Sequence, residues 1–313
     1  MKEAVQVVEV PLVPPTDDQV ILKVVFAGVN ATDVNVTAGR VFTDQLQVPH
    51  DVGLLAFGVI EVLDKNVKSL KVGQPCYAKP EELIPMPCLM PELILLSNGL
   101  TARIAIDQAC NVKSGDKILI TAPAGSVGHI AVQWAKHKGC YVIGMTSSEE
   151  KAKLLKELGT DRVINYKTEN LDEVLTKEFP EGIDIIWETI GGEIYQTLFK
   201  HLANKGRLVI FGCTSGYENV GFPDVHIPNL PYQLLLGSKT VTGFAVPHYI
   251  HLFPQYMPQL IEDIMTKKLR VVLDFGLKSS KGEFIGIDSV VNGVEHLFSR
   301  KNVGKVVIKI QDQ

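Results

Sequence analysis

The feature that most constrains this chain is the segment Lys117-Ile-Leu-Ile-Thr-Ala-Pro-Ala-Gly125-Ser-Val-Gly128, an apolar run that breaks into small residues and passes straight into a helical pattern starting near Gly128. The order predicts a strand, a tight turn and a helix. Glycines at such a turn let the backbone approach a pyrophosphate closely, and the N–H groups and dipole at the helix start attract the anion. Ala124, Gly125, Ser126, Val127 and Gly128 are therefore the candidate pyrophosphate contacts. A glycine turn alone is weak evidence and can be merely structural, so the surrounding pattern has to decide.

That pattern is regular from about residue 98 to residue 244. Strands are predicted at 117–123, 141–147, 162–166, 183–190, 207–212 and 240–244. Between them, 128–137, 149–158, 171–179 and 192–202 carry apolar residues at three- and four-residue spacing, as amphipathic helices do. Strands alternating with helices imply right-handed crossovers and a doubly wound parallel α/β sheet of the Rossmann kind, with the glycine turn in its first crossover. Residues 5–62 read differently, as short alternating apolar stretches broken by Pro14-Pro15, Gly28, Gly39, Pro49, Gly53 and Gly58, the pattern of an antiparallel β-rich unit. After Phe244 come a helix at about 254–267, the run Val271-Val272-Leu273, a helix near 288–299 and a strand over 305–310, expected to return to that first unit. The expected division is thus 1–97 with 245–313, and 98–244.

Composition narrows the function classes. A net charge of -4 gives no electrostatic reason for a nucleic-acid partner, and no apolar run approaches the roughly 20 residues of a membrane span. A small-molecule substrate is expected. The start, Met1-Lys2-Glu3, has no signal-peptide apolar stretch, which favours a cytoplasmic setting, with a peroxisome or mitochondrion open if a leader precedes it. Cys76, Cys88, Cys110, Cys140 and Cys213 are widely spaced without a C-x-x-C pair, and His248 and His251 have no acidic or thiol ligand in register. No metal site is expected.

The end of the second predicted strand speaks to the choice of nucleotide. An acid there would bind the 2′-hydroxyl of NAD. The chain has Met145-Thr146-Ser147-Ser148 instead, with Lys151 one helical turn on. Hydroxyls and a cation suit a 2′-phosphate that a carboxylate would repel, so NADPH is the expected cofactor. Lys151 can equally be a solvated residue paired with Glu150 or Glu157.

With these residues in view, the chain resembles the zinc-independent quinone and enone reductases of the medium-chain dehydrogenase/reductase superfamily over nearly its full length. The resemblance rests on Gly28-Val-Asn30-Ala-Thr-Asp33, Ala122-Pro-Ala-Gly125-Ser-Val-Gly128, Ser147-Ser148-Glu-Glu-Lys151, Ile164-Asn165-Tyr166, Gly182-Ile-Asp184, Glu188-Thr189-Ile-Gly-Gly192, Gly206-Arg207-Leu208, Ser215-Gly216-Tyr217 and Lys301-Asn302-Val-Gly304-Lys305. It implies a GroES-like catalytic domain closed by both chain ends, a cofactor domain between, and a homodimer joined through sheet edges. By position it implies 2′-phosphate contacts at Ser147 and Lys151, a cofactor contact at Thr146, adenosine packing at Tyr166, and a path toward the nicotinamide along Thr189, Phe211, Tyr217, Phe244, Ala245 and Val246, with Asn302 on the far side. Asn30 stands where zinc-dependent relatives place a cysteine ligand, and an amide oxygen is a poor zinc ligand.

The chemistry implied is hydride transfer to the β-carbon of an α,β-unsaturated carbonyl, with donors needed at the carbonyl oxygen and a proton at the α-carbon. Tyr249, Tyr77 and Asn30 are the candidates, each tyrosine having the alternative of a buried ring with a satisfied hydroxyl. Two departures stand out. Gly39-Arg40 is followed by Val41 and the 53–58 segment reads Gly-Leu-Leu-Ala-Phe-Gly, which turns a polar wall apolar; Leu54, Leu55 and Phe57 would suit a lipid-like substrate or be core. A loop and strand expected between Tyr77 and Lys79 are missing, so the first domain is read as truncated. Three functions follow: a reductase of the 2-alkenal, enone or 15-oxo-prostaglandin type, a quinone reductase, or an NADPH-binding protein with little turnover.

Overall fold

The computed structural model describes residues 5–40, 53–79, 82–217 and 221–311. Val41, named above, lies outside them. Two units are described separately, residues 1–95 with 272–313, and residues 96–271.

The first unit begins with β1 (Val20–Gly28), a short helix α1 (Ala31–Thr37), β2 (Ala56–Leu63), β3 (Pro75–Lys79) and β4 (Glu82–Pro85), followed by a 3-10 turn, Pro91–Leu95. Consecutive strands pair antiparallel, with Ala27 opposite Ala56, Phe57 opposite Tyr77 and Tyr77 opposite Ile84. Phe57 and Tyr77 are wholly enclosed, so Phe57 is core and does not line a cleft; Leu54 and Leu55 are half-buried. β3 and β4 still pair across the shortened segment, with Lys79 opposite Glu82.

The second unit opens with α2 (Leu96–Ile104), which runs on into one π-helical turn, Ala105–Ala109. Then follow β5 (Lys117–Ile120), α3 (Gly128–His137), β6 (Tyr141–Thr146), α4 (Glu149–Glu157), β7 (Arg162–Asn165), α5 (Leu171–Glu178), β8 (Ile183–Glu188), α6 (Gly192–Lys200), β9 (Leu202–Ile210), α7 (Leu230–Gly237) and β10 (Thr240–Gly243). The six strands form a parallel sheet in the order β7-β6-β5-β8-β9-β10. This is the doubly wound order expected from the alternation, with its switch point between β5 and β8. Near-continuous apolar runs such as Ile118-Leu119-Ile120 and Ile185-Ile186-Trp187 form these strands because both faces are buried. Leu119, Ile143, Ile164, Ile186 and Leu208 pack against α5 and α6 through Leu175, Leu198 and Phe199, while α3 and α4 pack on β5 and β6.

A 3-10 turn, Val246–Leu252, and α8 (Phe253–Met265) complete this unit. Residues 245–271 were expected with the first unit. They pack instead on α2: Leu260 fills the space left at Gly99, where a Cβ would stand 2.7 Å from Leu260 Cδ2, and Arg103 pairs with Asp263 at 2.5 Å. Asp107 in the π turn accepts from Trp134 Nε1 at 3.1 Å and from the Tyr256 hydroxyl at 3.0 Å.

The chain then returns to the first sheet through β11 (Leu273–Asp274), α9 (Val290–Phe298) and β12 (Lys305–Lys309). β12 pairs antiparallel with β1 and parallel with β11, which gives the order β11-β12-β1-β2-β3-β4. Val294 of α9 joins Val29, Phe284, Val306 and Ile308 in a small core of its own. Strands from both parts of the chain thus build one sheet.

Candidate active site

The turn after β5 is built by contacts a longer side chain would destroy. Ala122 sits at φ +47°, and Gly125 N–H donates to its carbonyl at 3.1 Å. At Gly128 a Cβ would lie 2.4 Å from Ala122 O and 2.7 Å from Pro123 Cα, so the helix starts this close to the turn only with bare backbone there. The N-cap, Val127, supplies no side-chain cap to α3, and the first N–H groups of such a helix are the ones an anion satisfies. His129 is fully enclosed, and its Nδ1 lies 2.8 Å from the Gly125 carbonyl, which also accepts the His129 backbone N–H at 3.1 Å. Two donors on one carbonyl fix the Gly125–Ser126 peptide. Burial lowers the imidazole pKa to about 4, so Nδ1 donates as a neutral ring.

Thr121 and Thr189 tie the ends of β5 and β8 together across the switch point. Their hydroxyls are 2.8 Å apart, Thr189 N–H donates to Thr121 Oγ1 at 2.9 Å, and Thr121 donates onward to Trp187 O at 3.1 Å. One hydroxyl carries one proton, so Thr189 donates its own to Thr121 and keeps an oxygen lone pair. Glu188, fully enclosed, accepts the N–H groups of Ile190 and Gly191 at 2.7 and 2.9 Å, and burial raises its pKa.

At the end of β6 the hydroxyls divide their work. Ser148 is the N-cap of α4 and accepts Lys151 N–H at 3.3 Å, and Thr146 is buried. Ser147 between them is half-buried, as is Lys151. Tyr166 follows β7, exposed, with its N–H on Thr146 O at 3.1 Å. Glu149, which follows Ser148 in the chain, accepts from Asn165 Nδ2 at 3.2 Å. The four residues expected at the adenosine end, Thr146, Ser147, Lys151 and Tyr166, thus lie at the ends of the adjacent strands β6 and β7 and in the first turn of α4.

An aromatic series leaves the sheet at β8. Trp187 stacks on Phe211 at 3.5 Å and 12°, Phe211 meets Phe244 at 5.5 Å, and Phe244 stacks on Tyr249 at 4.6 Å. The structure therefore brings Phe211, Phe244 and Tyr249 into one line, with exposed Ala245 and half-buried Val246 leading into the turn that carries Tyr249. Tyr217 closes the loop after β9, its hydroxyl oxygen accepting Cys213 N–H at 3.0 Å.

In the first unit Asn30 is already engaged. It caps α1, its backbone N–H donates to Asp33 Oδ2 at 2.7 Å, its Nδ2 donates to Gly28 O at 3.1 Å, and its Oδ1 accepts from Lys305 Nζ. Lys305 is wholly enclosed. Burial lowers the Lys305 pKa to about 7 and raises that of Asp33. Tyr77 is wholly enclosed and presents no surface to a substrate, while Asn302 is buried with its Nδ2 on Gly304 O at 3.1 Å. No role was read from the sequence for Lys305, Asp33, Glu188, Thr121, His129 or Trp187, although Asp33, Glu188 and Lys305 stand in the motifs that carry the resemblance and Thr121 in the glycine-turn segment. His129 offered a signal of its own, a polar residue on an apolar helix directly after the glycine turn.

Residues 16–92 match the family model described as the alcohol dehydrogenase GroES-like domain, and residues 126–263 the one described as zinc-binding dehydrogenase. The chain is 36% identical to prostaglandin reductase-3 of Mus musculus over 315 residues, covering 96% of this chain and 83% of the relative. The chain belongs to the medium-chain dehydrogenase/reductase superfamily. Within that superfamily it is also 39% identical to a probable quinone oxidoreductase of Leishmania amazonensis, over 93% of this chain and 88% of the relative. The structure of Escherichia coli quinone oxidoreductase complexed with NADPH superposes with a TM-score of 0.81 at 23% identity, covering 96% and 94% of the two chains, which speaks to the fold alone.

Proposed function

We propose that this medium-chain reductase reduces the carbon–carbon double bond of α,β-unsaturated carbonyls of the 2-alkenal, enone or 15-oxo-prostaglandin type, using NADPH and no zinc. The observation that carries the reading is the turn at Gly128, a cradle that any Cβ would fill, set beside a β6 end with Ser147 and Lys151 where an NAD site has an acid. Ser126, Val127 and Gly128 would hold the pyrophosphate, and Ser147, Lys151 and Tyr166 the adenosine end. Bound NADPH supplies the hydride. Thr189, tethered by Thr121, offers its oxygen to the carboxamide side of the cofactor. Asn30 Nδ2 donates to a carbonyl oxygen where negative charge develops, which lowers the barrier. Tyr249, half-buried and stacked on Phe244, is the candidate proton donor to the α-carbon, and the enclosed Tyr77 supports the first unit's core instead. The donor set disfavours zinc, because Lys305 Nζ already occupies Asn30 Oδ1 and its positive charge would repel a cation there.

The curated relatives named above, together with the 2-alkenal reductase of Nicotiana tabacum at 35% identity over 69% of this chain, support both the enone reading and a quinone reductase. A homodimer is supported by β10 at the edge of the sheet and by exposed Tyr232, Leu235 and Leu236 on the neighbouring α7. No helix among the described residues is long and apolar enough to cross a membrane, and the cysteine thiols are free, as in the cytoplasm. NADPH oxidation by the purified protein against a medium-chain 2-alkenal, a 15-oxo-prostaglandin and an ortho-quinone tests the proposal, with metal content measured on the same sample. Turnover of the unsaturated carbonyls is expected. Tight NADPH binding without turnover of any of the three would leave a cofactor-binding protein.

A further inference from the structure

Lys305 opens β12 inside the first unit with none of its surface exposed. Its Nζ donates to Asn30 Oδ1, and the Asp33 carboxylate on α1 is the charge that acts on it. The stem passes β1 at Gly28, where a Cβ would stand 2.9 Å from Lys305 Cε and 3.4 Å from Ile94 of the 3-10 turn. From β11, Leu273 pairs with it through the backbone, while the neighbouring Asp274 is turned to His296 at 2.9 Å and to Val303 N–H at 3.0 Å. The backbone N–H groups of Asn30, on Oδ2 at 2.7 Å, and of Leu54 also act on the Asp33 carboxylate. A buried ammonium held mainly by a neutral amide is an expensive core residue, and an apolar side chain of the same length would serve packing as well. Its use lies in what it does to the amide.

An asparagine amide has two orientations half a turn apart. Here the ammonium selects one of them: oxygen toward Lys305, nitrogen toward Gly28 O, with the second Nδ2 proton only weakly engaged by Asp33 Oδ2 at 3.4 Å. Drawing electron density toward Oδ1 also makes the Nδ2 protons better donors. We propose that Lys305 is a positioning residue for the reductase, holding and polarising Asn30 so that it presents an N–H donor, and never an acceptor, to a carbonyl oxygen. This rests on the reading of Asn30 given under the proposed function. Loss of the ammonium above pH about 7 weakens the donor, so activity falls as pH rises through that value.

The test measures kcat/KM for the 2-alkenal against pH in the native protein, Lys305→Met, Asn30→Ala and the double variant, with melting temperatures to confirm folding. Lys305→Met is expected to lose about tenfold and to lose the inflection near neutral pH, and the double variant to be no worse than Asn30→Ala, because both act through one hydrogen bond. An unchanged pH profile in Lys305→Met, or losses that multiply in the double variant, overturns the inference. If Lys305→Met does not fold, Asp33→Asn takes its place; removing the facing carboxylate moves the inflection to lower pH, and an unmoved inflection is the contrary result. Should the native protein turn over no carbonyl, the reductase reading fails by itself. The positioning is then read from the Asn30 side-chain amide in 15N-labelled protein, assigned by its loss in Asn30→Ala. A resonance that titrates near pH 7 in the native protein but not in Lys305→Met supports it, and one indifferent to pH overturns it.

Discussion

At the turn after β5 the proposed anion site relies on backbone N–H groups in a stretch of adjacent residues left bare at Gly125 and Gly128, whereas at the proposed donor Asn30 the polar work falls to side chains from opposite ends of the chain. The first region gains its geometry by subtraction: Gly128 lies where any Cβ would strike Ala122 O, and the buried His129 that holds Gly125 is neutral. The second gathers a wholly enclosed ammonium and a half-buried carboxylate around one amide. Backbone donors carry no titrating proton, so cofactor binding at the turn is expected to be indifferent to pH near neutrality, and pH is expected to enter the chemistry at the Asn30 cluster.

The comparison is broken most severely at Gly128. Gly128→Val should cost NADPH affinity about 1000-fold, roughly 4 kcal/mol, by forcing α3 away from the turn; a fluorescence titration that finds native affinity would show that the turn is not the cradle. Next comes acid. His129 is protonated at about 6.5 when unfolded and at about 4 when folded, so its contribution is complete above pH 6.5 and is lost as pH falls toward 4, up to roughly 3 kcal/mol. Chemical denaturation at stepped pH should show this loss in the native protein and not in His129→Gln. For Tyr249→Phe the ring stack on Phe244 stays and only the hydroxyl goes, so kcat should drop about 100-fold with NADPH affinity unchanged. Steady-state kinetics that find kcat intact would return the proton to water. Smaller again, Lys151→Ala should weaken NADPH about tenfold and leave NADH untouched, since a charge-assisted contact to the 2′-phosphate is lost; equal losses for both nucleotides would make Lys151 a helix residue only. Leu235→Lys should leave all these constants alone and shift the sedimentation of a dimer toward the monomer.

Much of the cofactor half was legible because its information is local. Strand, turn and helix at 117–137 are adjacent in the chain, β-strand apolar runs mark burial on both faces, and Ser147 and Lys151 were read from the end of a predicted strand, whereas Tyr166 was implied by the resemblance alone. The first unit was less so. Phe57 and Tyr77 read equally well as cleft and as core, and the pairing of β2 with β3 decides for core. The helix at 253–265 was correctly placed along the chain, yet nothing in its periodicity told which unit it would join; Gly99 and Leu260, with Arg103 and Asp263, made that choice.

Sequence alone determined the order of elements, the doubly wound sheet, the bare-backbone turn and the hydroxyl and lysine at the end of β6, because hydrophobic periodicity, glycine placement and charge act between residues close along the chain. Only the tertiary structure decided that Lys305 reaches Asn30 across 275 positions, that Thr121 holds Thr189 and that Tyr249 stands at the end of a stack begun at Trp187. Those contacts exist because the sheet brings strand ends together, and whether a buried amide, hydroxyl or ammonium finds a partner depends on that meeting and on no local pattern.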